Sequence, residues 1–184
     1  MSRELSSALM RLLERRQRTS LTEDVKTLID KYTEKDLQEA VLVKDNFGRL
    51  PIHYACIHEV PLEVIQMYLD SNTDKKSILE KDINGWLPIH ISCGKNAPVE
   101  VIQLLLDSDV DKKTIFEKDR DGQLPIHVAC WILILYEPSA FLGSVQFVVL
   151  PRITKIISVN LSLINRVSSS HSTVLFRCGL FPPS

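Results

Sequence analysis

Residues 44–56 read KDNFGRLPIHYAC, residues 81–93 read KDINGWLPIHISC and residues 118–130 read KDRDGQLPIHVAC. The segments start 37 residues apart, and the meaning of that interval decides the fold. Laid over each other without a gap, residues 43–79 and 80–116 agree at 20 of 37 positions. Identity that runs through a whole unit, beyond the motif itself, marks a duplicated structural element. The third copy keeps register to Cys130. The P-x-E-V-I-Q element due near residue 135 is replaced there by LYEPSA.

Each unit has a readable local structure. Asp-x-x-Gly is a turn in which Gly48, Gly85 and Gly122 can take positive φ. Pro51, Pro88 and Pro125 suit the first turn of a helix, where a missing N–H costs nothing. That helix is short and small-faced, with His followed by Ala55, Ser92 or Ala129 and then Cys. Pro61 and Pro98 open a second helix whose apolar residues Val64, Ile65, Met67, Tyr68 and Leu69 recur as Val101, Ile102, Leu104, Leu105 and Leu106. A hairpin this short cannot bury its apolar face alone, so copies must stack. The fold class expected is all-α, a helical-hairpin repeat solenoid.

Upstream, Leu5, Ala8, Leu9, Leu12 and Leu13 predict an amphipathic helix over residues 2–17, with Arg15, Arg16 and Arg18 as its solvated basic end. Thr22 is placed as the cap of a second helix carrying Val25, Leu28, Ile29 and Tyr32. A third apolar stretch runs from Leu37 to Val43. Residues 1–42 are thus expected to cap the repeats of 43–79, 80–116 and the partial 117–130.

D-x-x-G-x-L-P-I-H-x-A-C followed by a V-x-x-L-L helix resembles the ankyrin repeat, over roughly residues 43–130. Two departures stand out. Leu50, Leu87 and Leu124 occupy the place where that family usually has Thr, whose hydroxyl ties the turn to the motif His. The period is 37 rather than the usual 33. The extra residues fall in DSNTDKKSILEKD, which implies a longer or partly helical connection.

The composition excludes several classes of function. A chain of 184 residues with a net charge of −1 carries no global attraction for nucleic acid. Four cysteines in this length make no disulfide framework, and the N-terminus has no apolar core of signal-peptide type. A reducing cytoplasmic or nuclear compartment is expected. The averages conceal a break, since residues 1–130 hold 22 acids and 18 bases, while residues 131–184 hold Glu137 against Arg152, Lys155, Arg166 and Arg177.

His53/Cys56, His90/Cys93 and His127/Cys130 look like metal ligands. Equivalent positions on stacked helices lie about 8–10 Å apart, whereas zinc needs ligands within about 2.0–2.3 Å of one ion. Each pair supplies only two ligands, so we expect the His to bond backbone and the Cys to serve as a small buried apolar residue. EKDING at 80–85 and EKDRDG at 117–122 imitate the start of a calcium loop. Their twelfth positions are Ile91 and Val128 instead of a carboxylate. Those acids are expected to be solvated. No phosphate-binding, dinucleotide or hydrolase signature occurs. The sequence therefore predicts no catalytic, cofactor or metal residues and no small-molecule substrate.

Positions that vary between matched copies are the candidates for partner recognition. In the turns they are Asn46, Phe47 and Arg49, then Ile83, Asn84 and Trp86, then Arg120, Asp121 and Gln123. After the Cys they are Ile57–His58 and Gly94–Lys95. The ankyrin resemblance implies that these residues line a concave face that binds a protein partner. Aromatic and Arg anchors are typical hot spots. Phe47 and Trp86 serve as anchors, or alternatively pack sideways on the neighbouring turn as core.

WILILYEPSAFLGSVQFVVLP, at 131–151, approaches the roughly 20 apolar residues that span a bilayer. One reading is a membrane tether. Another is a degenerate end of the third repeat, with Pro138–Leu150 as its outer helix. The preferred reading is translated non-coding or frame-shifted sequence, replacing further repeats of a longer protein.

Overall fold

In the computed structural model the described residues are 2–14, 20–71, 76–95, 97–111 and 113–129. Among them the regular structure is entirely helical. Three helices precede the repeats: α1 (Ser2–Leu13), α2 (Leu21–Asp30) and α3 (Glu34–Ala40). The first repeat supplies α4 (Pro51–Ile57) and α5 (Leu62–Asp70). The second supplies α6 (Pro88–Gly94) and α7 (Val99–Ser108). Residues 125–129 are helical again. The chain is all-α.

The inner helices start where the sequence directs them. Leu50 and Leu87 are extended, with ψ 164° and 161°, and Pro51 and Pro88 follow as first helical residues. The outer helices begin one residue after Pro61 and Pro98, whose fixed φ of −52° and −50° sets the entry angle. The 3-10 turns Lys76–Leu79 and Lys113–Ile115 follow α5 and α7. The longer connections are therefore partly helical, as their length implied. Each drives an isoleucine, Ile78 or Ile115, into the core. Asp109 secures the second of these turns by accepting the Thr114 N–H at 2.7 Å.

Consecutive hairpins pack like on like, with α4 against α6 and α5 against α7. The same pairing continues upstream, where α1 packs on α4 and α2 on α5. Thus α1 and α2 occupy the place of a preceding hairpin without carrying its glycine turn. One continuous core runs from Leu13, Leu21 and Val25 through Ile52, Ile65 and Leu69 to Ile89, Ile102 and Leu106. Leu5, Leu9, Leu37 and Ala40 form a satellite core among the first helices. Tyr68 ties α5 to the end of α3, its Oη donating to the Val41 carbonyl at 2.7 Å.

Several local expectations need correction. The first helix ends at Leu13, not at 17, and residues 15–19, with the basic run, lie outside the described residues. Its buried face includes Ser6 and Met10 in place of Ala8 and Leu12, because Ser6 Oγ finds the Val43 carbonyl at 3.2 Å. Thr22 caps nothing, since α2 starts one residue earlier behind Ser20. The strong cap belongs to Thr33, which forms a reciprocal capping box with Asp36 at the head of α3. No helix among the described residues is long and apolar enough to cross a membrane. The tail at 131–184 lies outside them.

Candidate partner-binding surface

The three turns share one internal plan. Asp45 Oδ1 accepts the Phe47 and Arg49 N–H groups, each at 2.8 Å. Asp82 Oδ1 accepts those of Asn84 and Trp86 at 2.8 and 3.0 Å, and Asp119 Oδ1 those of Asp121 and Gln123 at 3.0 and 2.8 Å. The carboxylate thereby satisfies two turn donors that would otherwise face each other. Asp82 and Asp119 are buried at 6 % and 9 % exposure. The expectation that these acids are solvated is wrong, because each is spent inside the protein on backbone amides.

Successive turns are bonded edge to edge. Ile83 N–H donates to the Phe47 carbonyl at 3.0 Å, and Arg120 N–H to the Asn84 carbonyl at 3.1 Å. That approach leaves no room for a side chain at the glycine. A Cβ on Gly85, already at φ +78°, would lie 2.8 Å from Arg120 N. Lysines repeat the link outside, with Lys44 Nζ on Glu80 at 2.8 Å and Lys81 Nζ on Glu117 at 2.7 Å.

The motif histidines complete each joint. His53 Nδ1 accepts the Leu50 N–H at 3.1 Å, which leaves the ring proton on Nε2, within 3.3 Å of the Trp86 carbonyl in the next turn. His90 repeats this with Leu87 N–H and the Gln123 carbonyl, at 3.3 Å each. The Leu backbone N–H thus makes the tie to the His that a Thr hydroxyl would otherwise make. Both ring nitrogens are engaged, so neither His53 nor His90 has a lone pair free for a metal ion. Burial holds both imidazoles below the ordinary 6.5, against the opposing pull of Asp82 at His53 and of the Gln123 carbonyl at His90. Cys56 and Cys93 are buried free thiols pushed up to about 12 by burial, hence unreactive apolar filler. Cys130 lies outside the described residues.

The variable positions divide into two groups. Arg49 and Trp86 follow the glycine and reach forward to the next turn's aspartate. Arg49 Nε lies 3.5 Å from Asp82 Oδ2, and Trp86 Nε1 donates to Asp119 Oδ2 at 3.1 Å. Both side chains are half-buried, and the Trp86 ring lies beside Gly94, where an added Cβ would crowd Val128 at 3.2 Å and only touch the indole at 3.8 Å. Gln123 is half-buried too. The tip residues instead face solvent: Asn46, Asn84, Arg120 and Asp121 are exposed, with Phe47 at 53 % and Ile83 at 43 %. Phe47 is covered on one side only, by the Arg49 guanidinium 5.5 Å from its ring centre.

His58 and Lys95 are exposed at the C-terminal ends of α4 and α6. Tyr54, absent from the sequence-based set, joins the first turn to this helix end. Its Oη donates to Asp45 Oδ2 at 2.7 Å, and its ring stacks on His58 at 6.1 Å. Burial first, and then the Asp45 carboxylate, raises the Tyr54 phenol to about 12. Among the described residues Tyr54 fills the second oxygen of Asp45, and it does so from within the same repeat. The one available signal was that Ile91 and Val128, which cannot donate, stand at the matching positions.

Residues 84–115 match the family model described as Ankyrin repeat. Residues 84–115 form an ankyrin repeat. The match falls on the second hairpin with its turn, and the first and third turns reproduce the hydrogen bonds of that unit. No curated protein matches the chain. Ankyrin repeats are interaction units, so a protein–protein interaction role follows for this region.

Proposed function

We propose that the chain is a non-catalytic scaffold that captures a protein partner on the concave face formed by the ankyrin turn tips and inner helices. The observation that carries this reading is the exposed pair Phe47 and Ile83, on adjacent tips tied by the 3.0 Å Ile83–Phe47 backbone bond. Large apolar side chains presented on a rigid edge lose little entropy on binding. Around them Asn46, Asn84, Arg120 and Asp121 form the polar rim, with His58 and Lys95 at the helix ends. Arg49, Trp86 and Gln123 shape the face from below, the first two by gripping the next turn. The buried thiols accord with a reducing, cytoplasmic setting.

Partner capture by the full-length chain tests this. A Phe47→Ala, Ile83→Ala double variant is expected to lose at least tenfold in affinity with its helical circular dichroism intact. Unchanged affinity rejects the face.

A further inference from the structure

A second surface lies at the opposite end of the hairpins. The glycine turns lead into the N-termini of α4 and α6. At the far end, where α4 runs into α5, a groove of about 340 Å³ opens between the first and second hairpins. Its floor is aliphatic, with Val60, Ile65 and Val101 all buried at 5 % exposure or less. Leu62 and Pro98 form apolar shoulders, and Glu59 and Glu100 stand exposed on its rim. Among the described residues the lining holds no basic side chain, and neither carboxylate has a hydrogen-bond or ion-pair partner.

We propose that this groove receives a short segment of a partner protein carrying one Lys or Arg beside an aliphatic side chain. The aliphatic group would lie on Val60, Ile65 and Val101, and the cation would bridge Glu59 and Glu100. The chemistry selects this occupant. Small-molecule sites combine an apolar wall with several converging polar groups, and here the polar groups are two like-charged acceptors. Phosphates and nucleic acid are repelled by the same pair. Glu59, at φ 50°, is the left-handed residue that closes α4, with the Val60 N–H donating to the Ala55 carbonyl at 3.2 Å. Glu100 lies in the first turn of α7, where a carboxylate also complements the helix dipole. Its effect on stability must therefore be separated from its effect on binding.

The inference is independent of the turn-tip surface, and one experiment distinguishes them. A displayed library of random heptapeptides is selected on the full-length chain, and the enriched peptides are synthesised and titrated. The expected peptides share a basic residue adjacent to Leu, Ile, Val or Met. Their Kd for the unmodified chain should rise with added salt and should rise at least tenfold, with little remaining salt dependence, in a Glu59→Gln, Glu100→Gln variant, with the Phe47→Ala, Ile83→Ala variant unaffected. Thermal melts of Glu59→Gln and Glu100→Gln singly report any change in folding. Peptides without a basic residue, binding indifferent to the glutamine variant, binding that follows Phe47 and Ile83 instead, or no enrichment would each overturn the proposal.

Discussion

At the joint between the first and second turns Arg49 lies 3.5 Å from Asp82; at the joint between the second and third, Trp86 donates to Asp119 at 3.1 Å. Everything else in the two joints corresponds: the backbone bond between tips, the imidazole bridge, the lysine outside. The receiving aspartate is buried in both and needs a donor for its second oxygen. A guanidinium supplies charge and an indole supplies a neutral N–H with a large ring. Gly94 beneath the indole replaces Ile57, which packs on the core in the first repeat. The difference teaches that the post-glycine position varies in kind, a charge 3.5 Å away in one joint and a hydrogen-bonding indole in the other, while each keeps a side chain on the next turn's aspartate.

Removing what the joints share should do the most damage. His53→Ala and His90→Ala each strand a Leu N–H in a site of 0 % exposure and take one of two donors from a turn carbonyl, which keeps the Asp82 or Asp119 N–H at 3.0 Å, at a cost of about 3 kcal/mol. Urea unfolding should show equal losses at both joints. A gap larger than about 1 kcal/mol would break their equivalence.

Glycine replacements come next. Gly85→Ala combines positive φ with a Cβ 2.8 Å from Arg120 N, whereas Gly122, at φ +75°, has no atom within 4 Å of its added Cβ. The first should lose about 2–3 kcal/mol and the second about 1 kcal/mol. Equal losses would mean that the close approach of the turns contributes nothing.

Acid loosens both joints together. The folded-state imidazoles of His53 and His90 titrate below their unfolded value of 6.5, so the unfolded chain binds protons first as pH falls. Their stabilisation is complete above pH 6.5 and declines below it, until the folded-state values are passed. The limiting slope is about 1.4 kcal/mol per pH unit for each ring. Denaturation midpoints measured from pH 7.5 to 5 should follow this course, and a His53→Gln variant should flatten it.

The smallest effects separate the joints. Trp86→Phe removes the donor to a buried carboxylate and should cost about 1.5 kcal/mol, independent of salt. Arg49→Met should cost about 1 kcal/mol or less, shrinking as salt rises. A salt-dependent Trp86 variant would contradict the division between a neutral and a charged joint.

Much of this was legible in the primary structure. The 37-residue period, the positive-φ glycines and the helix-opening prolines are local properties, and they reappear at Gly48, Gly85, Pro51 and Pro88. The imidazole bridge was anticipated in kind, because no third ligand accompanies each His–Cys pair. Asp82 and Asp119 were misread as solvated because an exposed Asp and one capping its own turn look alike in a sequence. Trp86 could not be assigned to anchor or core until Asp119 was seen beneath its N–H. Tyr54 was missed because its hydroxyl meets Asp45 only once α4 is folded back on the first turn.

The sequence alone determined the repeat, its period and the sites where turns and helices begin, since backbone sterics and hydrogen-bonding capacity act within a few residues. Which variable residues face a partner and which serve the neighbouring turn was decided by tertiary structure. That choice depends on residues about 33 positions away, and only the stacking of one hairpin on the next brings them into contact.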